Sequence, residues 1–198
     1  MIFGITGGTG CGKTTALKAI EALGGIVLDC DAIYHQLLRE DPSLLAAIET
    51  RFPGVVENGR LARKKLGAIV FADPQALLDL NAITHAAVKA EVERRLRPVP
   101  KLAAIDAIAL FDSGLADLCD HTVAITAPTE DRVRRLMIRD NISENYARAR
   151  IAAQKDAAWF REHCDTVLEN TGSIDAFATK CIDFFRSLCI MEGGEVSA

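Results

Sequence analysis

Gly7-Gly8-Thr9-Gly10-Cys11-Gly12-Lys13-Thr14, preceded by the apolar run Ile2-Phe3-Gly4-Ile5-Thr6, is the most informative part of the chain. The run is too short for a helix and ends in glycines, so it reads as a buried strand. The eight residues after it fit G-x-x-x-x-G-K-[ST]. From Lys13 onward Ala16, Leu17, Ile20 and Leu23 recur at helical spacing, and Gly24-Gly25 ends the pattern. In a strand–glycine loop–helix unit the glycines let the backbone curl until successive N–H groups point at phosphate oxygens, and the helix adds its positive end. Lys13 then reaches the β and γ phosphates of a nucleotide, and the Thr14 hydroxyl ligates Mg²⁺. Gly8, Thr9, Gly10, Cys11, Gly12 and Thr15 complete the candidate cradle.

Downstream, Ile26-Val27-Leu28 is a second buried strand that ends at Asp29-Cys30-Asp31. A strand, helix and strand in this order imply parallel pairing and a right-handed crossover. Residues 32–97 read as mostly helical, with Pro42 opening one helix, Asp73-Pro74 opening a long one, and turns at Pro53-Gly54 and Asn58-Gly59. Leu102 to Ile105, ending at Asp106, is the delayed third strand; Thr122 to Thr126 is the fourth and Thr166 to Leu168 the fifth. Near the C-terminus Phe177, Cys181, Phe184, Phe185 and Leu188 share one helical face, as for a helix packed on a sheet. The expected fold is α/β, a P-loop NTPase-type three-layer sandwich with about five parallel strands.

Composition agrees with a globular chain: of 198 residues, 49% are hydrophobic and 25% charged. The longest apolar stretch, Leu102 to Phe111, is interrupted by Asp106 and falls short of the ~18 to 20 residues of a membrane span. Neither this stretch nor the N-terminal run looks like a targeting segment, so no membrane association and a cytoplasmic location are expected. Six scattered cysteines without a C-x-x-C pair argue for reduced thiols rather than a disulfide framework or zinc site. A net charge of −4 disfavours a general nucleic-acid binder. Residues 130–161, however, carry eight Lys and Arg against five Asp and Glu, a local excess suited to capturing a small polyanion. A monomer or weak homo-oligomer is expected.

A phosphate loop alone does not choose among GTPase, ATPase and small-molecule kinase. The chain lacks Asn-Lys-x-Asp and Asp-x-x-Gly, which disfavours a Ras-like switch. Asp29 and Asp31 close strand two, at the sheet end where open α/β sheets bind ligands. A carboxylate there can take the proton of an acceptor hydroxyl, although capping the next helix is an equally ordinary use of Asp. Asp31 is the stronger candidate. Asp106, beside the loop strand, is placed to hold Mg²⁺ through water or merely to close a turn. Arg132, Arg135 and Arg139 align on one helical face, whereas Arg134 diverges. His85, among Leu80, Ile83 and Val88, reads by spacing as a packed or surface histidine, and Trp159-Phe160 as core.

Beyond the loop, Leu-Asp-Cys-Asp-Ala-Ile (28–33), Arg-Lys-Lys-Leu-Gly-Ala-Ile-Val-Phe (63–71), Leu-Asn-Ala-Ile-Thr-His (80–85), Arg-Leu-Met-Ile-Arg-Asp (135–140), Arg-Ile-Ala-Ala-Gln (150–154) and Glu-Asn-Thr-Gly (169–172) follow in order. Together with residues 7–15 these blocks resemble the dephospho-coenzyme A kinases over nearly the whole chain. The resemblance implies ATP-dependent phosphorylation of the ribose 3′-hydroxyl of dephospho-coenzyme A, with ATP and Mg²⁺ as cofactors and no partner beyond the small-molecule substrate. It implies one kinase fold over 1–198, with a helical acceptor-side subdomain at 32–100 and a lid at 130–155. Asp31 matches the family's general base; Lys13 and Arg139 join it as catalytic candidates. Arg135 and Asn170 fall to the nucleotide side, Arg63, His85 and Asp106 to the substrate side, and Thr14 with Asp106 to the metal. Arg60, Arg63, Lys64 and Lys65 offer charge for the acceptor's diphosphate. Asp106-Ala-Ile-Ala-Leu-Phe-Asp112 departs from the family's Asp-x-Pro-Leu-Leu-Phe-Glu, and Ala86 stands where Pro is usual. Two other readings stay open: a different small-molecule P-loop kinase, for a nucleoside or nucleotide, or a nucleotide-binding protein without catalysis.

Overall fold

A computed structural model describes residues 1–98 and 100–191. In chain order its elements are β1 (Ile2–Thr6), α1 (Lys13–Ala22), β2 (Ile26–Asp29), α2 (Cys30–Glu40), α3 (Pro42–Arg51), β3 (Val56–Glu57), β4 (Arg60–Leu61), α4 (Arg63–Val70), α5 (Pro74–Leu96), β5 (Ala103–Asp106), β6 (His121–Thr126), α6 (Thr129–Asp140), α7 (Glu144–Ala152), α8 (Ala157–His163), β7 (Thr166–Glu169) and α9 (Ile174–Met191). The last seven residues of the expected 1–198 unit lie outside the described residues.

Five strands form one parallel sheet in the order β2-β5-β1-β6-β7. The third strand in sequence therefore inserts between the first two, and the strand order reverses at β1, where α/β sheets open a ligand crevice at their carboxyl ends. Short apolar strands need cover on both faces. Phe3, Ile5, Val123 and Ile125 point to one face and pack with Ala16 and Ile20 of α1 and with Phe177, Cys181 and Phe185 of α9. Leu28 and Ile105 point to the other, under Ile33 of α2 and Val88 and Val92 of α5. Helix–sheet–helix layering is the three-layer sandwich that the hydrophobic pattern predicts.

Residues 30–96 carry a core of their own, built from Leu38, Leu44, Ile48, Phe52, Leu66 and Val70. Its helices start where Asp accepts backbone N–H groups: Asp41 caps α3 and Asp73 caps α5, each followed by Pro at the first helical position. A small antiparallel hairpin of β3 and β4 departs from the mostly helical expectation. Asn58-Gly59 closes it, with Asn58 at φ 50° and Gly59 at φ 73°, the paired positive φ that such turns require. All six cysteines are free thiols, five of them buried. Among the described residues no helix is long and apolar enough to cross a membrane.

Candidate active site

Between β1 and α1 the loop is shaped by two glycines at positive φ, where a side chain would be strained and crowded. Gly7 sits at φ 134°, and a Cβ there would lie 2.2 Å from the Ile125 carbonyl oxygen. Gly12, at φ 99°, precedes α1, where a Cβ would meet the Asn170 amide at 2.2 Å. The curled loop leaves the N–H groups of Gly10, Gly12, Lys13 and Thr14 without a hydrogen bond to any described residue. Four such donors at the positive end of a helix are an arrangement suited to an anion. Lys13 folds over them, its Nζ donating to the Gly7 carbonyl at 3.0 Å.

A cleft of about 610 Å³ opens above this loop. Its walls gather Gly8, Thr9, Gly10, Gly12, Lys13 and Thr14 from the loop, Asp31 from the first turn of α2, Asp106 from the end of β5, and Arg135, Arg139 and Arg150 from α6 and α7. The sheet order explains the meeting: β2 and β5 end side by side, with Asp29 opposite Asp106 in register, and β5 flanks β1. Asp29 and Asp31 divide their work. Asp29 caps α2 by accepting the Ala32 N–H at 2.9 Å, whereas Asp31, one residue beyond the first of α2, is exposed and faces the cleft.

Asp106 is pushed up to about 6, chiefly by burial and further by Asp29 and Asp31, against the opposing charge of Lys13. An under-compensated carboxylate lining the same cleft as an exposed Thr14 hydroxyl offers oxygen donors of the kind a hard divalent cation takes. Among the described residues no three His, Cys, Asp or Glu side chains group to hold a metal by themselves. Such a cation needs phosphate oxygens to complete its shell, as Mg²⁺ at nucleotide sites does.

A second cavity, about 240 Å³, adjoins the cleft. Asp31 and Ile108 line both, and Tyr34, Asn81, Thr84 and His85 line this one. His85 thus faces a cavity although its spacing alone reads as packing. Arg63 lines neither space; it heads α4 with its Nη2 3.3 Å from the ring Nδ1 of His35, next to Tyr34. Lys65 is engaged with Glu57.

Three residues expected on the nucleotide side do not line the cleft. Cys11 is buried, and its thiol is raised by that burial. Asn170 is buried too, its Nδ2 donating to the Cys11 carbonyl at 2.8 Å, so it braces the loop from below. Thr15 continues α1, donating its N–H to the Gly12 carbonyl at 3.0 Å. Of the α6 arginines, Arg135 donates to the Gly10 carbonyl at 3.1 Å, and Arg139 makes a two-pronged pair with Asp140 at 2.6 and 3.0 Å. Arg150, which opens one of the family-like blocks but carries no role from sequence, also lines the cleft and binds Asp140 at 2.6 Å. It lies on α7, across from Arg139, and nothing in its immediate sequence signals that meeting. Asp140, held at about 2 by its two arginines, is their shared anchor.

Comparison with known proteins bears on what such a cleft serves. The chain is similar to a dephospho-CoA kinase of Anaeromyxobacter dehalogenans, 37% identical over 199 residues, which cover 98% of this chain and 93% of that one. Among solved structures it resembles TT1252 from Thermus thermophilus, with TM-score 0.78, 33% identity, and 95% and 97% of the two chains covered. It also resembles a dephospho-CoA kinase from Campylobacter jejuni, with TM-score 0.70, 26% identity, and 96% and 98% covered. The family model described as dephospho-CoA kinase matches residues 1–176, which include the whole phosphate loop, both aspartates of the cleft and all of its arginines, and the chain belongs to that family.

Proposed function

We propose that the protein transfers the γ-phosphoryl group of ATP to the ribose 3′-hydroxyl of dephospho-CoA, giving CoA and ADP, as its family membership supports. The observation that carries the assignment of roles is that Asp31 is a shared wall of the phosphate-loop cleft and the second cavity. An acceptor lying in that cavity presents its hydroxyl at the carboxylate, beside the place where the loop holds the γ-phosphate. Asp31 takes the hydroxyl proton as the acceptor oxygen bonds to phosphorus and the bond to the β-phosphate oxygen breaks. Lys13 and the free loop N–H groups hold the charge spreading over the transferring group, and Arg135, Arg139 and Arg150 add to it from the lid side. Thr14 and Asp106 are the residues that would hold Mg²⁺, whose bound charge offsets that of the phosphates. Asn170 serves the nucleotide indirectly, through the loop it braces.

Around this centre we assign residues 32–100 to the acceptor side and 130–155 to a lid, with the Arg63–His35 corner beside Tyr34 as the place for the acceptor's diphosphate. The test is competition for ATP among dephospho-CoA, adenosine, AMP and CMP at equal concentration, read as ADP release. The expected result is highest kcat/KM with dephospho-CoA. A preference for any nucleoside or nucleoside monophosphate rejects the acceptor but keeps a P-loop kinase, and no turnover with any of them rejects catalysis.

A further inference from the structure

The outer side of the phosphate loop, away from the cleft, is gripped by two residues that take no part in the cleft chemistry. Arg132 of α6 is buried, 9% exposed, and its Nε donates to the Thr9 carbonyl at 2.9 Å. Gln154, just past the end of α7, accepts the Thr9 N–H on Oε1 at 2.8 Å. The same oxygen accepts from Nη2 of Arg132 at 3.1 Å. Both backbone groups of Thr9 are thereby taken, one by each side chain, and the two side chains are tied to each other.

The fit is close. A Cβ on Gly8 would lie 2.3 Å from Nη2 of Arg132 and 3.1 Å from Oε1 of Gln154, so residue 8 has no room for a side chain while the clamp is in place. Neither Arg132 nor Gln154 lines the cleft; Gln154 faces the smaller space beside Gly7, Asp112 and Phe160. Gln154 therefore stands beside the cleft, across Gly8 and Ile108, and not among the side chains that line it.

From this we infer that Gln154 is a positioning residue of the phosphate loop, which acts by fixing Thr9 and orienting Arg132 so that the loop's free N–H groups converge before nucleotide binds. The inference rests on the nucleotide reading of the cleft and not on the identity of the acceptor. An unclamped Thr9 peptide would rotate, and the neighbouring Gly10, at φ 76°, would move with it. The clamp also joins the two ends of the α6–α7 segment to the loop, since Arg132 lies near the start of α6 and Gln154 just past the end of α7. Residues between them pack on one another through Val133, Leu136 and Ala147, and Arg135 among them also holds the loop at the Gly10 carbonyl. An acceptor oxygen is what this position requires, since it takes both donors, and the Arg132 guanidinium it accepts from would balance a carboxylate's charge there.

The experiment is calorimetric titration of the full-length wild type, Gln154→Ala and Gln154→Glu with a non-hydrolysable ATP analogue, without acceptor, alongside the melting temperature of each free protein. In Gln154→Ala the analogue's Kd should rise about tenfold to a hundredfold, the worth of a charge-assisted hydrogen bond at a preorganised site. Gln154→Glu keeps an acceptor oxygen for both donors and should recover most of that loss, while the free proteins melt within a few degrees of one another. A Kd in Gln154→Ala within about twofold of wild type overturns the inference. So does Gln154→Glu binding as weakly as Gln154→Ala while melting like the wild type. If the wild type binds the analogue and shows this pattern but does not phosphorylate dephospho-CoA, the acceptor assignment fails and the clamp stands.

Discussion

Asp31 and Asp29 lie two residues apart, yet the structure predicts opposite consequences for replacing them. The Asp31 carboxylate is exposed and faces the cleft, in the first turn of α2. Asp31→Asn forfeits a favourable helix-end charge of about 0.3–1 kcal/mol. It also relieves repulsion with Asp106, which Asp31 helps to raise, so the net stability change is small. Its kinetic cost is the loss of a positioned base, about 10² to 10⁴ in kcat, or roughly 3–5 kcal/mol of barrier. Asp29→Ala removes the cap at 2.9 Å on the Ala32 N–H. That costs about 0.5–2 kcal/mol of stability, a fall of a few degrees in Tm for a chain of this size, with a smaller kinetic effect than Asp31→Asn. The assay is ADP release at saturating ATP and dephospho-CoA, with Tm by scanning calorimetry and affinity for an ATP analogue by titration. For Asp31→Asn we expect wild-type Tm, wild-type analogue affinity and collapsed kcat. If Asp31→Asn turns over near the wild-type rate, or if Asp29→Ala loses more activity than Asp31→Asn, the assignment of the base is wrong.

Lys13→Ala should lower kcat by about 10² to 10³, the usual worth of one preorganised electrostatic contact, with Tm preserved because among the described residues its side chain gives up only the hydrogen bond to the Gly7 carbonyl; near-normal turnover by the folded variant would refute the role. Asp106, whose folded pKa of about 6 lies above the ordinary carboxylate value, gives stability that is full below about pH 4 and lost as pH rises through 6. Asp106→Asn should therefore stabilise the metal-free, nucleotide-free protein at pH 7.5 by about 1–3 kcal/mol after allowance for partial exposure, with the gain vanishing toward pH 4; a gain that grows as pH falls would contradict this. Hydrogen exchange should show residues 133–153 gaining protection when an ATP analogue binds, as Arg139 and Arg150 leave Asp140 for phosphate. Unchanged protection there would remove the lid.

Features legible in the chain alone are those that neighbouring residues enforce. Gly7 to Thr14 needs only glycine geometry and the helix that follows, and the Asp-Pro pairs at 41–42 and 73–74 start helices by local capping. The five strands were legible because each is a short apolar run bounded by breakers, and the order of the blocks along the chain carried the family resemblance. Which polar residues share a site is settled by packing instead. The order β2-β5-β1 sets Asp31 and Asp106 beside Lys13, and the return of the chain after β6 brings Arg132, Gln154 and Asn170 onto the phosphate loop across 123, 145 and 159 residues. Spacing along a helix ranks Arg132, Arg135 and Arg139 together, yet one is buried under Thr9, one holds Gly10 and one rests on Asp140. A helix face has a period that sequence reveals, but the surface it meets belongs to another part of the chain. Only the folded contacts say whether a side chain on that face braces the loop or meets the ligand.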